Sequence, residues 1–502
     1  MSLPRQLYRA ADVRELDRRA IEQLHIPDEE LMERAGAALY RVLRARLPAA
    51  GRVLVLCGGG NNGGDGYVVA RLAREAGLDV TLAAVVGAGA VRGAARSAMR
   101  RFTAAGGVCE AFSTEMPGQA EAIIDALLGT GLDRPVSGEA AEVIRAVNTS
   151  GKPAIAADLP SGLHADSGDV LGTAVRARYT VSFMGLKAGL FTGRGPAFAG
   201  EVLFDDLGVP AETADGLSPL AWRLDPEDLS GWLAPRERDA HKGDFGHVVM
   251  LGGGTGMAGA IQLAGHAALR AGAGRVTAVV WPGNISAVTG QRPELMCRGV
   301  NDGADAEPLF RKASVLAAGP GFGQDEWSAR LWEFFRQRDN AGLSRVLDAD
   351  GLNWLIRRPL VLTPDDIITP HPGEAARLLD CGVADIESNR FTAVRELAAK
   401  FDCVAVLKGA GTLIGAPDGR IALCDRGNPG MASAGMGDVL TGLVAGLRAQ
   451  GASAFDAACA GVLIHALAGD RAALDGERGL LATDLLEHVR DVVNPHAGSR
   501  TT

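Results

Sequence analysis

Asp438 closes the run NPGMASAGMGD (residues 428–438), directly before the apolar stretch VLTGLVAGL. Glycines at a helix start free backbone N–H groups to hold phosphate oxygens, and the positive helix end adds to the attraction. A carboxylate at that end can take the proton of a substrate hydroxyl, so the pairing suits phosphoryl transfer to an alcohol. Asp is also a common N-cap. The run KGAGT (Lys408, Gly409, Ala410, Gly411 and Thr412), about 30 residues upstream, favours catalysis over capping. A P-loop is excluded, because no glycine is followed by Lys and then Ser or Thr. His371 stands between two prolines in TPHPGE, a stiff setting that suits ligand contact. Lys242 in HKGDFG is either a phosphate contact or a solvated loop lysine.

A second glycine run, GGGNNGGDG (residues 58–66), directly follows RVLVLC. Gly58, Gly60 and Gly63 form a literal G-x-G-x-x-G. The dinucleotide reading also requires an acid about 20 residues on, at the end of the next strand, for a ribose hydroxyl. That strand ends in Val85 and Val86 without one, and Asp79 lies at its other end. Hydride transfer is therefore disfavoured, and the same holds for a second G-x-G-x-x-G at Gly254, Gly256 and Gly259. Two asparagines and an aspartate in the first run supply side chains that a plain turn does not need. Three further strand ends carry polar groups: DALLGTGLDR (125–134), DLPSG (158–162), and Lys187 in FMGLKAGL (183–190). Ligands collect at the carboxyl ends of strands in an open parallel sheet. Asn62, Asp125 and Ser161 are then candidate oxygen ligands for a monovalent cation, and Asp158 with Lys187 a candidate acid–base pair.

The elements that must position these residues read as α/β. The chain has 502 residues, about three to four times a typical domain. It is rich in glycine (67) and poor in aromatics (5%), a balance that suits tight strand-to-helix turns. Residues 52–57, 80–86 and 154–157 read as buried strands, with 121–127 a weaker candidate and 67–76 helical. In the second half 247–251, 275–280, 315–318, 346–347 and 404–407 repeat the pattern. Strands separated by helices predict parallel sheets covered on both faces. Residues 208–220 (GVPAETADGLSPL) are turn-rich and mark the boundary, giving expected domains 1–215 and 220–502. The net charge of −9 offers no general attraction to nucleic acid or anionic membrane. Seven single cysteines form no C-x-x-C pair and fit a reducing compartment. The charged amino-terminal segment lacks a secretory h-region, and no long apolar run occurs. A cytoplasmic homo-oligomer acting on small molecules, with no nucleic-acid or membrane partner, is the expectation.

LMERAG (31–36), GGGNNGGDG, DALLGTGLDR, DLPSG and Lys187 resemble the NAD(P)H-hydrate epimerase domain, over residues 16–209. The resemblance implies that Asn61, Asn62, Gly63, Gly64 and Asp65 line the substrate. It assigns the same role to Gly129, Thr130, Gly131, Leu132, Asp133, Arg134 and Asp158. Asn62, Asp125 and Ser161 would hold K⁺. HKGDFG, GGGTGMAGA (252–260), GPGFG (319–323), TPHPGE, KGAGT and GMGD resemble the ADP-dependent NAD(P)H-hydrate dehydratases of the ribokinase-like superfamily, over residues 225–493. By that resemblance Lys408, Gly409, Ala410, Gly411, Thr412 and Gly437 contact the adenine nucleotide. Ala260, Gly323, His371 and Asp438 contact the hydrated substrate.

The implied fold is a Rossmann-like three-layer α/β/α domain followed by a ribokinase-like α/β domain. The implied function is repair of hydrated nicotinamide cofactors, NADHX and NADPHX. The first domain would interconvert R and S epimers through Asp158 and Lys187. The second would dehydrate the S form using ADP with Mg²⁺, giving AMP and phosphate. The resemblance carries ADP use in bacteria and ATP use in eukaryotes, and the fused order is read as bacterial. Two rivals stand beside this reading. A ribokinase-like kinase for a small alcohol, with a regulatory first domain, would release a stable phosphorylated product. A non-catalytic nucleotide-binding scaffold would bind without turnover, against the presence of both Asp158 and Asp438.

Overall fold

The structure, a computed structural model, describes residues 3–85, 87–337 and 343–496. The chain divides into two compact units, Met1–Trp222 and Arg223–Thr502, the division falling just past the turn-rich segment 208–220.

The first unit is built on a parallel sheet in the order Cys109–Glu110, Asp79–Ala84, Arg52–Cys57, Ala122–Ala126, Ala154–Ala157, Tyr179–Phe183 and Glu201–Asp205. Its central strands are apolar on both faces because each face is covered. Val53, Val55 and Cys57 pack into one core with helices Asp28–Arg46, Asn61–Glu75 and Gly93–Ala104. Leu54 and Leu56 pack into the other with helix Gly138–Ser150. That gives the three-layer arrangement. The strand expected at 80–86 is Asp79–Ala84, and Val86 lies outside the described residues. The weak candidate at 121–127 is the buried strand Ala122–Ala126.

Strand Arg52–Cys57 has the next strand of the chain on one side and Ala122–Ala126 on the other. This is the topological switch point, where a crevice opens beyond the carboxyl ends of the strands. The run NNGGDG is not the turn expected there. The helix already begins at Asn61, with Gly60 as N-cap. Its glycines let that helix sit close to its neighbours. A Cβ at Gly63 would lie 2.0 Å from the Gly58 carbonyl oxygen, and one at Gly64 2.4 Å from Met32 Sδ. Gly63→Ala is accordingly expected to destabilise this unit by about 1–3 kcal/mol, because backbone must shift. Gly118→Ala, with open space at its Cβ, should stay within about 0.5 kcal/mol. Chemical denaturation of the two variants checks the difference.

The second unit's sheet runs Met296–Gly299, Arg275–Val280, His247–Leu251, Val315–Ala318, Ser344–Leu347, Ile367–Ile368 and Val404–Leu407, all parallel. The antiparallel strands Thr412–Gly415 and Ile421–Cys424 then extend it. Strand order again reverses at His247–Leu251, between Arg275–Val280 and Val315–Ala318. Helices Ala258–Ala271 and Met436–Ala449 pack backbone to backbone. A Cβ at Gly442 would lie 2.0 Å from the Ala264 carbonyl oxygen. HKGDFG precedes strand His247–Leu251, so Lys242 is exposed at the amino edge of the sheet, away from the glycine loops at the carboxyl edge.

Two candidate active sites

A cavity of about 970 Å³ opens at the switch point of the first unit. Asn61, Asn62, Asp65, Asp158, Lys187 and the whole loop from Gly129 through Thr130, Gly131, Leu132 and Asp133 to Arg134 line it. Gly63 and Gly64 do not line it; they are buried on the packed side of the helix. Asp158 sits just past strand Ala154–Ala157 with φ +64°, a conformation uncommon outside glycine. Its N–H donates to the Val181 carbonyl at 2.8 Å, and its carboxylate accepts from Phe183 N–H at 3.1 Å and pairs with the Lys187 ammonium. Lys187 is 1% exposed, and its Nζ also donates to the Phe183 carbonyl at 2.8 Å. The pair is thus anchored by backbone on both sides.

Further carboxyls face the same cavity. Burial pushes Asp65 well above the usual carboxylate range, and the charges of Asp158, Asp17 and Asp28 push the same way. Asp17, on helix Ala10–Glu22, is pushed up to about 6, mainly by burial, while Lys187 pulls it down. Such a site holds both a paired carboxylate and carboxyls raised above their usual range, a combination that suits proton transfer.

Asp125 does not line the cavity and is fully buried. It accepts from the Ser161 N–H at 2.8 Å and hydroxyl at 2.6 Å, and burial pushes its carboxyl up to about 6. The Ser161 hydroxyl oxygen also accepts from Leu128 N–H at 2.8 Å, so Ser161 is already committed to fixing Asp125. Asn62 differs: its side-chain oxygen and nitrogen are both buried with no hydrogen-bond partner.

In the second unit the glycine loops after strands His247–Leu251 and Val315–Ala318 are laced together. Gly253 N–H donates to the Pro320 carbonyl at 3.1 Å and Gly254 N–H to that of Gly321 at 2.7 Å. Ala260 lies beside this seam, its Cβ 3.1 Å from where one on Gly321 would be. Gly323 has φ +79° and is clamped by Asp350 Oδ2 at 2.9 Å and Trp354 Nε1 at 3.0 Å. KGAGT is the turn of the hairpin joining Val404–Leu407 to Thr412–Gly415. The buried Arg390 donates to the Leu407 and Lys408 carbonyls, and a Cβ at Gly409 (φ +139°) would meet its guanidinium at 2.9 Å. Thr412 Oγ1 donates to the Gly409 carbonyl at 3.0 Å, closing the turn that holds Ala410 and Gly411.

His371 is half exposed and caps helix Pro372–Leu379. Its Nδ1 accepts from Gly373 N–H at 3.0 Å, while its own N–H donates to Glu374 at 2.8 Å. Asp438 lies in the first turn of helix Met436–Ala449, and the N-cap is Gly435 with φ +87°. Burial pushes the Asp438 carboxyl up to about 7; Asp348 adds to the rise and Lys408 opposes it. Gly437 lies against that pair, a Cβ there being 3.4 Å from Lys408 Nζ and 3.5 Å from Asp348 Oδ2. A near-neutral carboxyl beside free helix-start N–H groups suits general-base chemistry next to a phosphate.

Residues 28–189 match the family described as YjeF-related protein N-terminus, and residues 248–491 match NAD(P)H-hydrate dehydratase. The bifunctional NAD(P)H-hydrate repair enzyme Nnr of Coxiella burnetii is 45% identical over 97% of this chain and 99% of its own length. The chain belongs to the bifunctional NAD(P)H-hydrate repair enzymes. It is an enzyme with NAD(P)H-hydrate dehydratase and epimerase domains, as the sequence motifs had implied. The Escherichia coli member of the family is 43% identical over 99% of this chain and 95% of its own length. A Leishmania braziliensis repair enzyme is 38% identical over 100% of this chain and 96% of its own. The fused order is therefore not confined to bacteria and by itself does not select ADP over ATP. A ribokinase-like protein of Enterococcus faecalis superposes with a TM-score of 0.51 at 26% identity, covering 55% of this chain and 96% of that one. Among the described residues no helix is long and apolar enough to cross a membrane.

The sequence reading did not single out Asp17, Asp28, Asp348, Glu374 or Thr441. Asp348 carried a usable signal, since it directly follows a strand, as Asp158 does, while Asp125 is the last residue but one of its strand. Asp17 and Asp28 carried none, because they belong to helices outside the sheet.

Proposed function

We propose that residues 1–215 interconvert the R and S epimers of NADHX and NADPHX, and that residues 220–502 dehydrate the S form at the expense of ADP. Asp158 and Lys187 move the protons at the C6 hydroxyl in the first domain, with Asn61, Asn62, Asp65 and the loop Gly129–Arg134 around the nucleotide. In the second, Asp438 takes the C6 hydroxyl proton as phosphoryl passes from ADP to that oxygen, leaving AMP. The C6–O bond then breaks, phosphate leaves, and loss of a ring proton restores the double bond of NADH or NADPH. Ala260, Gly323 and His371 receive the hydrated substrate; Gly437 and the KGAGT turn receive the adenine nucleotide. The observation that carries the reading is Asp438, near 7 at a helix start laid against Lys408.

A buried, partnerless Asn62 oxygen and a buried Asp125 carboxylate offer the oxygen donors that a hard monovalent cation takes. Asn62 and Asp125 would hold K⁺, Ser161 fixing Asp125, and the ion would supply positive charge to an anionic substrate. Asp125→Asn should remove any K⁺ dependence of epimerisation and weaken substrate binding; an equal K⁺ response in variant and parent would remove the assignment. Among the described residues no three His, Cys, Asp or Glu side chains converge on a metal position. Mg²⁺ in the dehydratase domain therefore fits an ion carried on the nucleotide's phosphates, not a protein cage.

The test is to supply mixed-epimer NADHX with ADP, with ATP or with neither. ADP-driven return of NADH with release of AMP and phosphate is expected. A stable phosphorylated product would point instead to a small-alcohol kinase.

A further inference from the structure

The carboxyl edge of the second sheet carries two buried acids, Asp348 and Glu374, to which the reaction above gives no role. Asp348, buried just past strand Ser344–Leu347, spends both carboxylate oxygens within the protein. Oδ1 accepts from Lys408 Nζ at 2.7 Å, and Oδ2 accepts from Thr441 Oγ1 at 2.8 Å. Lys408 is the first residue of the KGAGT turn, and Thr441 lies one turn beyond Asp438 on the same helix. Residues three apart share a helix face, so Asp348 is drawn against the face that presents Asp438. Glu374 completes the set. Its Oε2 lies 3.8 Å from Lys408 Nζ and accepts from the His371 N–H at 2.8 Å. A buried acid that ties a nucleotide turn to the helix with the reacting carboxyl, and reaches the substrate loop through Lys408 and Glu374, is placed to set their mutual geometry.

We propose that Asp348 is a positioning residue of the dehydratase site, its single carboxylate locking the KGAGT lysine and the first turns of the Asp438 helix into one register. The proposal rests on the reading of Asp438 as the base. Lys408 then serves chiefly inside the protein, and the nucleotide meets the backbone of its turn. Burial opposes the Lys408 charge, yet Asp348 and Glu374 hold its ammonium above the usual range. Among the elements packed against the Asp438 helix, the charges acting on Asp438 are Asp348 and Lys408. His465 on helix Ala454–Ala472 and His266 on helix Ala258–Ala271 are each pushed down to about 4 by burial, so both stay neutral across the working range.

The experiment uses the full chain, S-NADHX and whichever of ADP and ATP the parent turns over, and reads kcat, KM and the pH profile of kcat. Asp348→Asn keeps shape and removes charge. It should lower kcat by about 10²-fold, the scale of a small misplacement at a reacting centre, with KM little changed. The acid limb of the profile should move to lower pH, because Asp438 loses a like charge while Lys408 remains. Thr441→Val deletes one of the two holds and should lower kcat by about 3–10-fold, more than Thr441→Ser does. Parental kcat and an unmoved limb in folded Asp348→Asn would overturn the proposal, as would lost stability alone. If Asp348→Asn does not fold, the Thr441 pair decides: equal kcat in Val, Ser and parent overturns it. Asp438→Asn run alongside separates the two claims. Full activity in that variant sinks the base reading itself, whatever Asp348→Asn does.

Discussion

Asp438→Asn should lower dehydration of the S epimer by about 10²–10⁴-fold, the usual cost of losing a general base, while epimerisation by the same molecule is unchanged. The substitution is cleaner than the sequence implied. Asp438 is not the N-cap of its helix; Gly435 is, so Asn replaces a charge without removing a cap. Parent kcat should rise with pH through a limb near 7, where the carboxyl loses its proton. The stability sign follows from the same shift. A carboxyl raised in the folded state binds more protons than the unfolded chain between its ordinary range and about 7, so it makes the fold less stable as pH rises through that window. Asp438→Asn should therefore be at least as stable as the parent above that window. A variant that unfolds more readily yet turns over normally would make Asp438 a structural residue.

The second large effect belongs to the first domain. Asp158→Asn should reduce epimerisation by about 10²–10⁴-fold and leave dehydration of pure S epimer at the parental rate. Asn tolerates the positive φ of this position better than most residues, so the backbone is kept. Lys187→Met is expected to have the same catalytic effect and to lower stability besides. It leaves Asp158 without its buried partner, a loss that typically costs about 3–5 kcal/mol. Epimerisation and urea midpoints measured on both variants check the two halves of this prediction. Retained epimerisation in both would move the acid–base work to Asp17 and Asp65.

Where apolar runs were continuous, the elements could be read directly, as at Arg52–Cys57, His247–Leu251 and Val404–Leu407. Two of the misses share a cause: polar residues that the fold buries and satisfies. Strand Ser344–Leu347 was expected only at 346–347, because Ser344 and Arg345 look solvent-facing. Arg345 is instead buried against Asp366, 2.6 Å away, at the start of the next strand, the short Ile367–Ile368. Strand Tyr179–Phe183 escaped notice in the same way. Its Thr180 is buried and donates to the Ala199 carbonyl at 2.7 Å, and its buried Ser182 hydroxyl lies 3.4 Å from Lys187 Nζ.

The site was legible where acids follow strands or stand among helix-start glycines. It was not legible where a side chain enters from a helix beyond the sheet, as Asp17 does, or where glycines serve packing. Gly63 and Gly64 belong to the motif, yet their missing side chains make room for Gly58 and Met32.

On the proposed function, the two domains divide the work on one substrate, the first delivering the epimer that the second consumes. Purified R-NADHX, given to the full chain with ADP, tests it most directly against an enzyme-free control and the Asp158→Asn variant. Complete return of NADH absorbance by the parent is predicted, with Asp158→Asn held to the rate at which the control epimerises. Equal NADH formation from the R form in parent and variant, or none in the parent while S-NADHX is consumed, would contradict it.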